Sequence, residues 1–212
     1  MIIHWQRISE DKKESLSLEK LRSIILQFWT ALALCHECSI QTNDDGSEDY
    51  IGMSPDSIEL IKAARLQGYQ LTRSVSSKFR RLKTLPYKED NGKLKRYKSE
   101  MIKPNNLESK NTINDKDIKD YELLNVIPFS SDRKRESVIV KEKNMIKLYI
   151  KGADSIIEER LSQNTNKDIL EKCKENVNYF SSLGYRTLLV GMKIISQIEY
   201  DDFAKSSYSI CE

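Results

Sequence analysis

Apolar positions recur along this chain with two different periods, and the changes of period divide it. Leu18, Leu21, Ile25, Phe28, Leu32 and Cys35 are spaced three or four residues apart, which is one face of a helix. Ile24, Leu26, Trp29 and Leu34 fill its other sides, so this helix is apolar almost all round and is expected to be buried. Residues 1–15 ahead of it are polar and read as irregular. After the acidic, turn-rich run Asn43 to Asp49 comes a short strand at Tyr50 to Met53. Ser54-Pro55-Asp56 then starts a helix: Ser caps it, Pro fits its first turn, and Asp suits its positive end. Gly68 stops that helix after Gln67, and Tyr69 to Val75 reads as a strand.

Residues 76–118 break the pattern. Lys, Arg, Asn, Ser and Glu dominate, and apolar residues are sparse. Glu89-Asp90-Asn91-Gly92 fits a hairpin turn between Leu85-Pro86-Tyr87 and Leu94 to Tyr97. Lys103 to Lys119 reads as a surface loop, and residues 98–118 are expected to be the most mobile interior stretch. The basic residues from Lys78 to Lys83 read as a solvated face.

Strand periodicity returns at Tyr121 to Ile127. Ser137 to Glu142 and Met145 to Ile150 form a hairpin about Lys143-Asn144, with Ile146, Leu148 and Ile150 on one face and Lys147 and Tyr149 on the other. Asp154 to Leu161 is a short helix. Asp168 to Leu183 is a longer one, with Ile169, Cys173, Val177 and Phe180 on its buried face and Gly184 at its end. Arg186 to Ile194 is a strand with Leu188, Val190, Met192 and Ile194 on one side, and a last helical turn or two spans Ser196 to Lys205. Neighbouring strands are hairpin-linked rather than joined by crossovers, so the fold class is α+β, a twisted antiparallel sheet flanked by helices.

Composition changes this picture little. The 212 residues suffice for one large domain, and 32% charged against 39% hydrophobic residues is a soluble composition with a polar excess. A net charge of +3 is too small to imply a nucleic-acid or membrane partner. The start, Met1 to Arg7, has no signal-peptide core, and Ile24 to Leu34 is too short to span a bilayer. Four cysteines in a chain of this length point to reduced thiols in a cytosolic setting. Cys35-His36-Glu37-Cys38 has zinc-like spacing but lacks a second ligand pair, so it reads as small buried residues near a helix end.

Candidate chemistry gathers between Tyr121 and Leu161. Phe129 and Lys151 both sit where a strand ends, a place where small ligands are held, and they offer an aromatic face to a base and a cation to phosphate. The alternatives are a core aromatic for Phe129 and a snorkelling edge lysine for Lys151. Gly152 lets backbone approach a ligand closely. Arg186, ahead of a strand, suits a phosphate or a structural salt bridge.

Phe129-Ser130-Ser131-Asp132-Arg133-Lys134-Arg135 followed by Lys151-Gly152-Ala153-Asp154 resembles the nucleotide-binding domain of P-type ATPases, in the phospholipid-transporting or flippase branch. Phe28 to His36, Ser54-Pro55-Asp56 with Lys62-Ala63-Ala64 and Gly68, and Gly184-Tyr185-Arg186-Thr187-Leu188 resemble further segments of that family, in the same order. The resemblance covers about residues 18–205, poorly near 75–118, and makes the whole of 1–212 a single ATP-binding domain with a polar insertion at about 76–118. It implies an ATP pocket drawn from Asp56, Ser57, Phe129, Ser131, Lys134, Lys151, Gly152, Arg186 and Leu188. Phe129 would stack on adenine, Lys151 would line the pocket, Lys134 would stand at its rim, and Arg186 would reach the phosphate end. Three positions depart from the family pattern: Ser57 stands for Glu, Glu59 for Ala, and Glu136 for a frequent Met.

The family's Asp-Lys-Thr-Gly-Thr acceptor segment and its Gly-Asp-Gly-x-Asn-Asp magnesium motif do not occur in this sequence, nor do its actuator loop and transmembrane helices. The chain therefore resembles a domain excised from a larger membrane ATPase, with no catalytic residue and no metal ligand of its own. The resemblance implies the following function. The domain is a cytosolic part of an integral membrane protein. It holds ATP, with Mg2+ brought by the nucleotide, for phosphoryl transfer to an Asp on a separate domain that drives lipid translocation. Its partners are then the phosphorylation and actuator domains of the same protein and an accessory subunit, with no nucleic acid. The alternative is a non-catalytic interaction module that keeps the fold and has lost its nucleotide.

Overall fold

The computed structural model of the protein describes residues 18–73, 77–84, 88–90, 93–95, 118–163, 165 and 167–208. The expected mobile stretch 98–118 lies outside the described residues except for Ile118, as do the irregular start, the polar tail and the far end of the strand expected to reach Val75.

The elements follow in this order: α1 (Leu18–Leu34), β1 (Ser39–Thr42), β2 (Glu48–Ile51), α2 (Pro55–Leu66), β3 (Tyr69–Thr72), β4 (Phe79–Thr84), β5 (Lys88–Asp90), β6 (Lys93–Lys95), β7 (Ile118–Ile127), β8 (Arg135–Glu142), β9 (Met145–Gly152), α3 (Asp154–Glu158), α4 (Lys167–Ser182), β10 (Leu189–Ile195) and α5 (Gln197–Tyr208). Six strands form one sheet in the order β10-β9-β8-β7-β4-β3, and each described pairing within it is antiparallel. This is the α+β architecture expected from the sequence. Two small hairpins, β1-β2 and β5-β6, stand apart from it.

Register divides the sheet into two faces. Glu136, Val138, Val140 and Glu142 of β8 share a face with Lys147, Tyr149 and Lys151 of β9, because Glu136 pairs with Lys151, Val138 with Tyr149 and Val140 with Lys147. Tyr121 of β7, Arg80 and Leu82 of β4, and Tyr69 and Leu71 of β3 continue that face. α1 and α2 cover it, and Trp29, Ala31 to Leu34, Leu60, Ile61 and Ala64 join its apolar residues in the buried core. The opposite face takes Ile157 of α3 and the Tyr200 hydroxyl of α5, which donates to Asn125 Oδ1 at 2.9 Å. α4 is tied to α3 by Lys174–Glu158 at 2.9 Å.

Local chemistry explains the element ends. Ser54 Oγ accepts from Ser57 N at 3.3 Å as the N-cap of α2, Pro55 opens the helix, and Gly68 turns the chain with φ +83°. Lys143, at φ 56°, turns the β8-β9 hairpin. The β5-β6 hairpin falls where Glu89 to Gly92 marked a turn, with its strands displaced from the expected bounds.

Three expectations need correction. Phe79 to Thr84 belongs to the stretch that reads as polar but is an interior strand, with β3 on one side and β7 on the other. Its alternation is carried by buried Leu82 and by Arg80, whose guanidinium faces the core and donates to Leu34 O and, at 2.5 Å, to His36 O. Those are carbonyls at the end of α1, so a charged residue serves as the helix's C-terminal cap. α4 buries no residue: Cys173, Val177 and Phe180 are half-buried and Ile169 is exposed. Finally, β10 starts at Leu189 rather than Arg186, and beyond Val190 its expected inner face emerges, with Met192 and Ile194 exposed.

Cys35, His36 and Cys38 are buried near the end of α1, as expected, and the described residues contain no cluster suited to a metal. His36 Nδ1 accepts from Cys38 N at 3.0 Å, so Nε2 carries the proton and donates to Ala33 O at 2.9 Å. Burial first, and then the charge of Arg80, hold the His36 pKa well below its usual value. The neutral form is therefore built into the fold. As pH falls through the ordinary histidine range, the unfolded chain takes up a proton that the folded chain refuses, so stability is present above that range and is lost below it. The expected loss below pH ~6.5 is up to about 1.4 kcal/mol per pH unit from this group. Urea denaturation of the wild type and His36→Gln at pH 7 and pH 5 measures it; the variant should show a smaller difference between the two pH values.

Candidate functional site

The elements that close the core also bring four of the expected site residues together. Asp56 and Ser57 lie in the first turn of α2, Lys151 near the end of β9, and Arg186 in the turn before β10. Arg186 Nη1 donates to both carboxylate oxygens of Asp56, at 2.8 and 2.6 Å. Lys151 Nζ donates to Ser57 Oγ at 2.9 Å. Because Asp56 and Ser57 are consecutive, the arginine and the lysine are held by one turn of one helix.

A fifth residue completes the arrangement. Glu136, at the start of β8 and directly across from Lys151, places Oε2 3.1 Å from Lys151 Nζ. Ser57 Oγ donates to the same oxygen at 3.4 Å. The side chains of Lys151 and Glu136 are each 6% exposed, and Ser57 is buried as well. Lys151 is thus not a snorkelling edge residue: β9 lies between β8 and β10, and its ammonium is inside. The sequence marked Glu136 only as a departure from a pattern. Yet the hairpin register held the signal, since counting back equally from Lys143-Asn144 brings Glu136 opposite Lys151.

The neighbourhood of this cluster is rigid. Cys35 Sγ donates to Glu136 O at 3.4 Å, and burial pushes the thiol pKa up to about 12, so it stays protonated and unreactive. Gly152 packs against the β7-β8 turn so closely that a Cβ there would lie 2.5 Å from Lys134 O and 2.9 Å from Arg135 Cα. Ala153 N donates to that same Lys134 carbonyl at 3.1 Å. Lys134 itself takes the left-handed conformation, φ 50°, to make the turn. Gly152 therefore serves close approach of protein backbone.

The β7-β8 turn carries the remaining candidates. Ser130 closes it: its carbonyl accepts from Lys134 N at 2.8 Å and its hydroxyl from Arg133 N at 3.3 Å. Arg133 Nη1 donates to Pro128 O at 2.8 Å. Phe129, Ser131 and Lys134 project from this braced turn into solvent, and the Phe129 side chain belongs to a residue 58% exposed, so it is not a core aromatic. Leu188 is half-buried against the core. Arg186 and Asp56 form the salt bridge named as the alternative for Arg186, with side chains 71% and 38% exposed, so water screens it.

The candidates thus divide into a dry set, Glu136, Lys151 and Ser57, and a wet set, Phe129, Ser131, Lys134, Arg186 and Asp56. The wet set supplies an accessible ring and two basic side chains, the chemistry that an aromatic, anionic small molecule takes.

The family described as P-type ATPase, cytoplasmic domain N, matches residues 100–210. A phospholipid-transporting ATPase of Schizosaccharomyces pombe is 34% identical over 175 residues, 82% of this chain and 10% of that protein. One of Caenorhabditis elegans is 34% identical over 183 residues, 85% of this chain and 13% of that protein. One of Saccharomyces cerevisiae is 31% identical over 181 residues, 85% of this chain and 11% of that protein. The chain therefore spans 10% to 13% of the length of these relatives.

Two stability changes are expected. Gly152→Ala forces the β7-β8 turn or β9 to shift and should cost about 1–3 kcal/mol. Lys151→Met leaves a buried carboxylate unpaired and should cost about 3–5 kcal/mol, most of which Glu136→Met should restore in the double variant. Chemical denaturation of the single and double variants measures both; a double variant as unstable as Lys151→Met alone would mean that the two side chains do not act as a pair.

Proposed function

Because this chain belongs to the P-type ATPase family, as a cytoplasmic domain N of the phospholipid-transporting branch, we propose that it is the ATP-binding part of a lipid-translocating membrane enzyme. The observation that carries the reading is the junction of Arg186, Asp56, Ser57 and Lys151, with Gly152, next to Lys151, packed against the turn that bears an exposed Phe129. Phe129 takes the face of adenine, with Leu188 as apolar backing. Lys151, Ser57 and Gly152 form the floor. Arg186 and Lys134, with Ser131, meet the polyphosphate, and Asp56 holds the Arg186 guanidinium in place. The residues fit the group: an accessible ring, a polar floor and basic rim side chains make the donor set that ATP requires.

ATP, with its Mg2+, supplies a γ-phosphoryl group to an Asp on a separate domain of the full-length protein. The work of this chain is to bind and orient. It lies on the cytosolic side of the membrane, and no described helix is long and apolar enough to cross one. Its partners are the phosphorylation and actuator domains of the same protein and an accessory subunit. A second reading, an interaction module without nucleotide, is favoured by one observation: the Lys151 ammonium is already paired with Glu136.

Isothermal titration of the purified chain with ATP and with adenosine separates the two readings, since the module should bind neither. Phe129→Ala should weaken ATP by about 1–3 kcal/mol, roughly five- to 150-fold, with the melting temperature unchanged because the ring is outside the core. A large fall in melting temperature at constant affinity would remove Phe129 from the site. Arg186→Ala should weaken ATP and leave adenosine alone.

A further inference from the structure

Lys151 is the buried cation of the site, and its hydrogen-bonding capacity is largely committed. An ammonium has three donors. One points to Ser57 Oγ at 2.9 Å, and Glu136 Oε2 lies 3.1 Å from the nitrogen. Neither partner is adaptable. Glu136 is fixed by strand register directly across from Lys151, and its backbone carbonyl is held by Cys35 Sγ at 3.4 Å. Ser57 sits in the capped first turn of α2 and donates to the same carboxylate oxygen. With both charged side chains 6% exposed, the pair is screened far less by salt than a surface pair, and it presents no net charge to a ligand.

We infer that Glu136 is a built-in competitor for Lys151, a carboxylate of the chain itself that occupies the site's buried cation and limits how strongly the site takes the anionic part of a nucleotide. The inference rests on the ATP-binding reading above and deepens it. A phosphate oxygen reaching Lys151 must displace a carboxylate that is covalently present at the same place, at an effective concentration no free nucleotide matches. Glu136 also repels such an oxygen directly. Phosphate affinity then falls to the exposed rim, Arg186 and Lys134, where hydrogen bonds to a charged ligand are weakened by water. Removing the carboxylate charge while keeping the side chain's shape should return Lys151 to the ligand.

The test compares Glu136→Gln, the double variant Glu136→Met/Lys151→Met and the wild type, each as the 212-residue chain. The readout is the ratio of ATP affinity to adenosine affinity by calorimetry, which cancels changes in base binding. Glu136→Gln should raise that ratio about ten- to a hundredfold, the worth of a hydrogen bond to a charged group. The double variant loses both charges together, so its fold does not depend on an orphaned ion. It should not show the rise seen in Glu136→Gln, because that rise depends on the freed Lys151. An unchanged ratio in Glu136→Gln, or an equal rise in the double variant, overturns the inference and leaves ATP binding standing. If ATP binds none of the three, the ATP-binding reading falls. Inorganic tripolyphosphate then decides the inference separately: tighter binding to Glu136→Gln than to the wild type supports it, and equal binding overturns it.

Discussion

Charged residues on the covered face of a sheet must find partners there, and this constraint organises the whole domain. β8 and β9 carry Glu136, Glu142, Lys147 and Lys151 on the face that α1 and α2 cover. The four resolve into two pairs at opposite ends of the hairpin: Glu136 with Lys151 at 3.1 Å, and Glu142 with Lys147 at 2.6 Å. Between the pairs lie Val138, Val140, Tyr121 and Tyr149, the apolar centre of the core. Helix α1 can lie across this centre because its polar contacts are also satisfied: the Tyr149 hydroxyl donates to Gln27 Oε1 at 2.6 Å, and Arg80 caps the carbonyls at its far end. Burial of apolar side chains, at roughly 1.5–3 kcal/mol each, drives the packing. The ion pairs restrict it to one register, because a one-residue slip of either strand would carry its two charges to the other face and leave their partners unpaired.

Much of this was legible along the chain. The heptad-like run from Leu18 to Cys35, the Ser54 cap with Pro55, the Gly68 stop and the Lys143-Asn144 turn are local signals, each fixed by a few neighbouring residues, and each corresponds to an element of the structure. β4 was hidden because its inward residues are Arg80 and Leu82: an arginine on the core side looks polar in sequence, and the carbonyls that satisfy it belong to residues 44 and more positions away. α4 is the converse case. Its apolar stripe reads as a core face, yet the described tie from α4 is Lys174 to Glu158 of α3, and Ile169 and Tyr179 are exposed.

The candidate site was legible residue by residue and not as a circuit. Phe129, Lys151 and Arg186 stood out singly, while the contacts that define their electrostatics run through Asp56, Ser57 and Glu136 on other elements. Lys151 and Ser57 are separated by 94 positions, and Arg186 and Asp56 by 130. No local pattern reports on such distances. Only Glu136 opposite Lys151 followed from the hairpin, and it did so through register alone.

The division of the site into a dry floor and a wet rim has a consequence for how the family's surface can vary. Rim residues such as Arg186 are screened by water, so changing one leaves the fold intact, and in the ATP-binding reading proposed above it alters affinity. Floor residues are tied to the fold: a carboxylate at position 136 requires a cation opposite it, and a second carboxylate at Ser57, whose hydroxyl lies 3.4 Å from Glu136 Oε2, would place two like charges on one lysine. One acidic group is therefore all the floor can hold, on α2 or on β8 but not on both. A serine at 57 together with a glutamate at 136 satisfies that limit. In this chain the single negative charge of the floor therefore stands on the strand side of Lys151, at Glu136, and the helix side presents the neutral hydroxyl of Ser57.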